Sequence, residues 1–165
     1  MRLAAALPLA LLCACPAAPG RLQVGAQPFG QARYALKDER EAGLLRPGKV
    51  VIVVFFATWA EAARGLLPRL EQLAGTLPDG QVELLGVALD EDQRFVEPFL
   101  RELGVTFEVL SDPGGRRTGQ AATLEALPGL VVLDPQGAVR AVSGESDAAA
   151  IAEIARVAAA LVPSP

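Results

Sequence analysis

The chain has 165 residues, 52% of them hydrophobic and 21% charged, with a formal net charge of -4, which suits one globular domain preceded by an apolar leader. Mild acidity without a Lys/Arg cluster argues against a nucleic-acid partner. The complete absence of histidine removes the usual general base, the commonest metal ligand and every Ser-His or Cys-His arrangement, so no metal and no cofactor is expected.

The chain opens with Arg2 and then ten apolar residues, 3–12, interrupted by Pro8. A spanning helix needs about 20 apolar residues, so this stretch reads as an export signal. It ends Leu12-Cys13-Ala14-Cys15, which resembles the bacterial lipobox, with Ala14 as the small residue before cleavage and Cys15 as the acylated cysteine. Cys13 fits less well because bulky Leu12 would precede the cut, and an ordinary signal peptide cut slightly downstream is the plainer alternative. Cys13 and Cys15 are the chain's two cysteines; as a redox pair they would sit in an apolar leader rather than at a helix start, where thiols are activated. Several acyl chains, at about 0.8 kcal/mol per buried methylene, would anchor the protein stably. The expected organisation is a signal peptide with lipobox over 1–15, a Pro-rich tether over 16–23 and a folded domain over 24–162. The expected location is the bacterial cell envelope, membrane-anchored and facing the periplasm or exterior.

Within the domain, residues 32–36 suggest an early edge strand, and Pro47-Gly48-Lys49 makes a turn. The seven apolar residues Val50-Val51-Ile52-Val53-Val54-Phe55-Phe56 then read as a strand buried on both faces, in mid-sheet. After Ala57-Thr58-Trp59 the pattern turns helical, with Leu66, Leu67, Leu70 and Leu73 at three- and four-residue steps. A strand feeding a helix places residues 59–64 at the carboxyl edge of the sheet, where open α/β folds bind and react.

The segment Phe55-Phe56-Ala57-Thr58-Trp59-Ala60-Glu61-Ala62-Ala63-Arg64 resembles the active-site segment of thioredoxin-like proteins, most closely the TlpA/ResA group of thiol–disulfide oxidoreductases, which reads like F-W-A-T-W-C-E-P-C-R. The resemblance implies an α/β, thioredoxin-like three-layer fold with a central mixed β-sheet flanked by helices. It also puts the two catalytic cysteines at Ala60 and Ala63. The family chemistry needs a thiolate, whose pKa a helix start can lower from about 8.5 to roughly 3.5–7.5, and a second sulfur to resolve the mixed disulfide. An alanine methyl does neither, so the resemblance carries the fold and not the activity.

Farther along, Pro68 should kink the helix, and residues 82–89 read as a second buried strand. Asp90-Glu91-Asp92 reads as a negatively charged helix start. Phe95, Phe99, Leu100 and Leu103 give that helix an apolar face closed by Gly104. Residues 105–110 resemble the family's L-x-F-P-V-L strand, and residues 116–124 read as a short helix. Leu127-Pro128 precedes a strand; the bare sequence favours a trans bond there, whereas the resemblance implies a cis proline against the active-site helix. Asp134-Pro135-Gln136-Gly137 forms a hairpin turn. A last helix, capped by Ser146 or Asp147, buries Ile151, Ile154, Val157 and Leu161.

Glu61 matches the glutamate of the C-E-P-C variant, but a carboxylate in a helix's first turn needs only the macrodipole to explain it. Thr58 as a nucleophile lacks any histidine or lysine to deprotonate it. In active relatives the backbone before the cis proline pairs with extended substrate segments, a form of strand addition that does not need sulfur. The expectation is a membrane-anchored, non-catalytic domain binding a protein or peptide partner in a groove of Trp59, Ala60, Glu61, Leu127 and Pro128. The alternatives are an oxidoreductase of the cell envelope working through other cysteines, and a structural subunit.

Overall fold

The computed structural model describes residues 21–36, 40–78 and 80–162. The expected signal peptide, Cys15 and most of the tether lie outside them. The strands in chain order are β1 (Tyr34–Ala35), β2 (Glu41–Ala42), β3 (Val50–Phe56), β4 (Val82–Ala88), β5 (Val109–Ser111), β6 (Gly129–Leu133) and β7 (Val139–Ser143). The helices are α1 (Glu61–Ala74), α2 (Val96–Glu102), α3 (Arg116–Ala121) and α4 (Ala148–Ala160). One mixed sheet forms in the order β2-β1-β5-β4-β3-β6-β7.

β3 organises this sheet because it carries no polar side chain to face water. All seven of its residues are buried, and it pairs in parallel with β4, from Val50 opposite Val82 to Phe56 opposite Ala88. On its other side it runs antiparallel to β6, from Val51 opposite Leu133 to Phe55 opposite Gly129. Strand alternation splits its side chains between two cores. Val50, Ile52, Val54 and Phe56 pack with Leu66, Leu67 and Leu70 of α1, Phe99 of α2, and Ile151 and Ile154 of α4. Val51, Val53 and Phe55 pack on the opposite face with Phe29, Tyr34, Leu44 and Ala122. Phe29 and Phe55 are in ring contact there, their centroids 5.5 Å apart. The result is the three-layer α/β architecture expected from the sequence, with the sheet in the middle.

Several boundaries differ from expectation. Leu22, placed in the tether by composition, is buried against the second core, and Arg21 bridges to Thr123; apolar burial thus draws the fold's start ahead of residue 24. The early strand is not an edge, because β2 lies outside β1. The strand expected over 105–110 is reduced to Val109–Ser111, and α3 stops at Ala121. Phe95, expected on the buried face of its helix, is 62% exposed, while Val96 is buried. The cause is a 3₁₀ turn over Gln93–Phe95, whose three-residue repeat shifts the phase of the apolar stripe.

The two outer rims of the sheet are handled differently. β2 contributes only two residues. At the other rim, Gly25 donates its N–H to the Val139 carbonyl and Ala26 accepts from the Val139 N–H, at 2.7 and 2.8 Å. The β6–β7 turn is fixed by Asp134, whose buried carboxylate accepts from the N–H groups of Gln136 and Ala138 and from Arg140. Gly137 closes it at φ 85°. Beside the start of β3, Glu83 receives both Arg46 and Lys49, while Arg46 also reaches Glu108.

Candidate functional site

The carboxyl ends of β3 and β4 converge with the approach to β6, and their connections make one surface. Phe56 ends β3 and Gly129, opposite Phe55, begins β6, so residues 57–60 and 126–128 lie at the same sheet edge. The peptide bond between Leu127 and Pro128 is cis. The Ala60 N–H donates to the Ala57 carbonyl and the Ala63 N–H to the Ala60 carbonyl, at 3.1 and 2.9 Å, which turns the strand tightly into α1. Ala60 is the N-cap residue and offers no side-chain cap.

What holds this turn is a contact across 32 residues of sequence. Asp90 is buried at 4% exposure. Its carboxylate accepts from the Thr58 N–H at 3.0 Å and from the Thr58 hydroxyl at 2.6 Å. The expectation that all three acids of the 90–92 run serve a helix start is corrected here: Asp92 alone caps, accepting from the Arg94 N–H. Arg94 beside it holds the Asp92 carboxyl down at about 2. Glu91 extends over Gly114, where a β-carbon would stand 2.7 Å from its Oε1, and its nearest cation is Arg116 at 3.6 Å.

The open groove of about 670 Å³ at this edge is lined by Thr58, Trp59, Leu89, Phe95 and Leu127, together with Asp90, Glu91, Asp92, Gly114 and Gly115. Of the residues expected to form a groove, Trp59 and Leu127 do line it. Trp59 is 72% exposed. Ala60 and Pro128 are buried and do not line it, and Glu61 stands exposed in the first turn of α1, outside the lining. This groove extends toward β4 and α2, through Leu89, Asp90 and Phe95. Phe95 and Leu89 were missed as members because periodicity reports burial within one element, not convergence of loops from several. Ala63 is wholly buried beneath the helix start. Thus the two positions that match the family's cysteines carry methyl groups packed into the apolar core.

Among the described residues no three Cys, Asp or Glu side chains group so as to hold a metal ion, and no helix is long and apolar enough to cross a membrane.

The AhpC/TSA family model matches residues 35–142. The thiol–disulfide oxidoreductase ResA of Oceanobacillus iheyensis is 32% identical over 68 residues, 41% of this chain and 35% of that protein, so the match spans about a third of the relative's length. A Chlorobium tepidum structure provisionally designated the thiol:disulfide interchange protein DsbE superposes with a TM-score of 0.74 at 20% identity, over 86% of this chain and 99% of that one. A secreted disulfide oxidoreductase of Mycobacterium tuberculosis gives 0.63 at 20% identity, over 78% and 95%. These two likenesses carry the fold, and the family match carries the lineage: the chain belongs to the AhpC/TSA family, in its TlpA/ResA-like group of thioredoxin-fold proteins.

Proposed function

We propose that this protein is an exported, lipid-anchored thioredoxin-like domain that does no thiol chemistry and instead binds an extended segment of an envelope protein. The observation that carries the proposal is the pairing of two features at one sheet edge. Ala60 and Ala63 place inert methyls at the head of α1, while Trp59 and Leu127 remain presented to an open groove. A disulfide exchange step needs an attacking thiolate and a resolving sulfur, and Cys13 and Cys15 both belong to the leader. Export and anchoring rest on the leader and its lipobox-like end, with Cys15 as the acylated residue.

The test has two arms. The purified chain should leave insulin disulfides intact in the presence of dithiothreitol beyond the reagent's own background. The double variant Ala60→Cys with Ala63→Cys should gain reduction, because a thiol at a helix start is activated by the backbone N–H groups. In the second arm, cross-linking in envelope fractions should trap a partner peptide on the groove, with Trp59→Ala and Leu127→Asp each lowering its yield severalfold. Turnover by the unmodified chain, or a yield indifferent to both substitutions, would overturn the proposal.

A further inference from the structure

We infer that the segment this groove accepts is cationic: an extended stretch carrying lysine or arginine. This rests on the partner-binding reading above and gives that partner a chemistry. Three carboxylates, Asp90, Glu91 and Asp92, line the groove, and among the described residues no basic one does. Asp90 is buried and is satisfied by the neutral Thr58 alone; among the described residues it has no counter-ion, and a buried charge is costly without one. The Glu91–Arg116 contact is long, 3.6 Å, between side chains that are 71% and 75% exposed, so it neutralises little. Asp92 is paired with Arg94, and Glu61 at the nearby start of α1 makes no ion pair among the described residues. The field in the groove is thus negative.

The apolar part of the lining matches the same occupant. Trp59 and Phe95 are 72% and 62% exposed, and both border this groove. Aromatic faces attract ammonium and guanidinium groups, tryptophan most strongly, and they also cover the methylene stems of lysine and arginine. An acidic segment would meet repulsion from three carboxylates, and a purely apolar one would leave Asp90 and Glu91 without a close counter-ion. A basic segment satisfies both the aromatic and the acidic groups.

The experiment uses the immobilised full chain and a random library of acetylated, amidated octapeptides at low ionic strength. Retained peptides should be enriched in Lys and Arg over Asp and Glu by about threefold or more at the best position, the scale of one exposed charge contact. Enrichment should fall in high salt as screening shortens the reach of the charges. Glu91→Gln with Asp92→Asn should reduce the bias, whereas Trp59→Ala should weaken all retention. Trp59 is the chain's single tryptophan, so its emission reports occupancy in solution. Retention that depends on Trp59 and Leu127 but shows no cationic bias would overturn this inference and leave the groove reading standing. No retention, or retention indifferent to Trp59 and Leu127, would overturn both.

Discussion

Asp90 illustrates how a single side chain can set the geometry of an edge. Its carboxylate satisfies two donors of Thr58 that would otherwise be left at a buried turn, and charge-assisted bonds of this kind contribute about 1.5–3 kcal/mol each in mutational series. Asp90→Ala should lower stability by about 2–4 kcal/mol, read as a lower urea midpoint, and Thr58→Val should lower it by less because the backbone donor keeps its acceptor. A midpoint unchanged by Asp90→Ala would show the contact to be idle. Tyr34 presents the opposite case. Its hydroxyl and that of Thr118 are both buried, and among the described residues neither makes a hydrogen bond. Burial pushes the Tyr34 phenol up to about 12, against the pull of the Thr118 hydroxyl. A raised folded-state value means stability is fully present below about pH 10 and is lost as pH rises through the folded value. Tyr34→Phe should therefore be neutral or stabilising by about 1 kcal/mol at pH 7 and should flatten the alkaline fall in the denaturation midpoint. Marked destabilisation at pH 7 would mean the hydroxyl is satisfied after all.

At the scale of elements, the β6–β7 turn gives the sharpest expectation. Gly137 has φ 85°, and a β-carbon there would lie 2.7 Å from Leu45 Cδ2, so Gly137→Ala meets both backbone strain and a clash. It should cost about 1–3 kcal/mol, measured by chemical denaturation, and Leu45→Ala in the same chain should recover part of that loss if the clash contributes. The elements also show what a sequence can and cannot disclose. β3, β4, α1, α4 and the Asp134–Gly137 turn were legible, since each announces itself by a long apolar run, a regular stripe or turn chemistry confined to a few neighbouring residues. β1 falls inside the early strand read over 32–36, whereas β2, of two residues, leaves no periodic trace. Phe95 was misplaced because Phe95 and Phe99 sit four apart, as on one helical face, yet Phe95 belongs to the 3₁₀ turn that precedes α2 and is out of phase with it. Asp90 looked like one of three capping acids, because its true partner, Thr58, lies 32 residues earlier in the chain. Trp59 and Leu127 were recognised through the family resemblance, and their neighbours Leu89 and Phe95 required the folded arrangement.

For the molecule as a whole, several acids fix a turn or tie distant segments together, and their protonation links pH to stability. Burial would raise Asp134, but the N–H groups of Ala138 and Gln136 and the Arg140 guanidinium outweigh it and hold it below its ordinary value. Glu83 is lowered likewise, with burial opposing and Lys49 and Arg46 prevailing. For Glu71, burial opposes and the bonds from Thr106 and Phe107 prevail. Depressed folded-state values mean that the stabilisation is complete above the ordinary carboxylate range and is lost as pH falls through the folded values. The midpoint of urea unfolding should therefore decline in acid below about pH 4. Asp134→Asn should lower the neutral midpoint and shrink that decline; a decline of unchanged size would exclude Asp134 as a contributor.

The treatment of the sheet's rims has a consequence for behaviour at high concentration. Open strands invite neighbouring copies to add on, and chains escape this by shortening or blocking such strands. Here one rim offers only the two residues of β2, and the other is occupied near Val139 by the protein's own residues 25 and 26. The fold thus carries a partial guard against lateral growth into fibrils, at β2 and beside Val139. That guard allows an exposed aromatic pair to be kept at the sheet's end with less hazard of self-association along its sides.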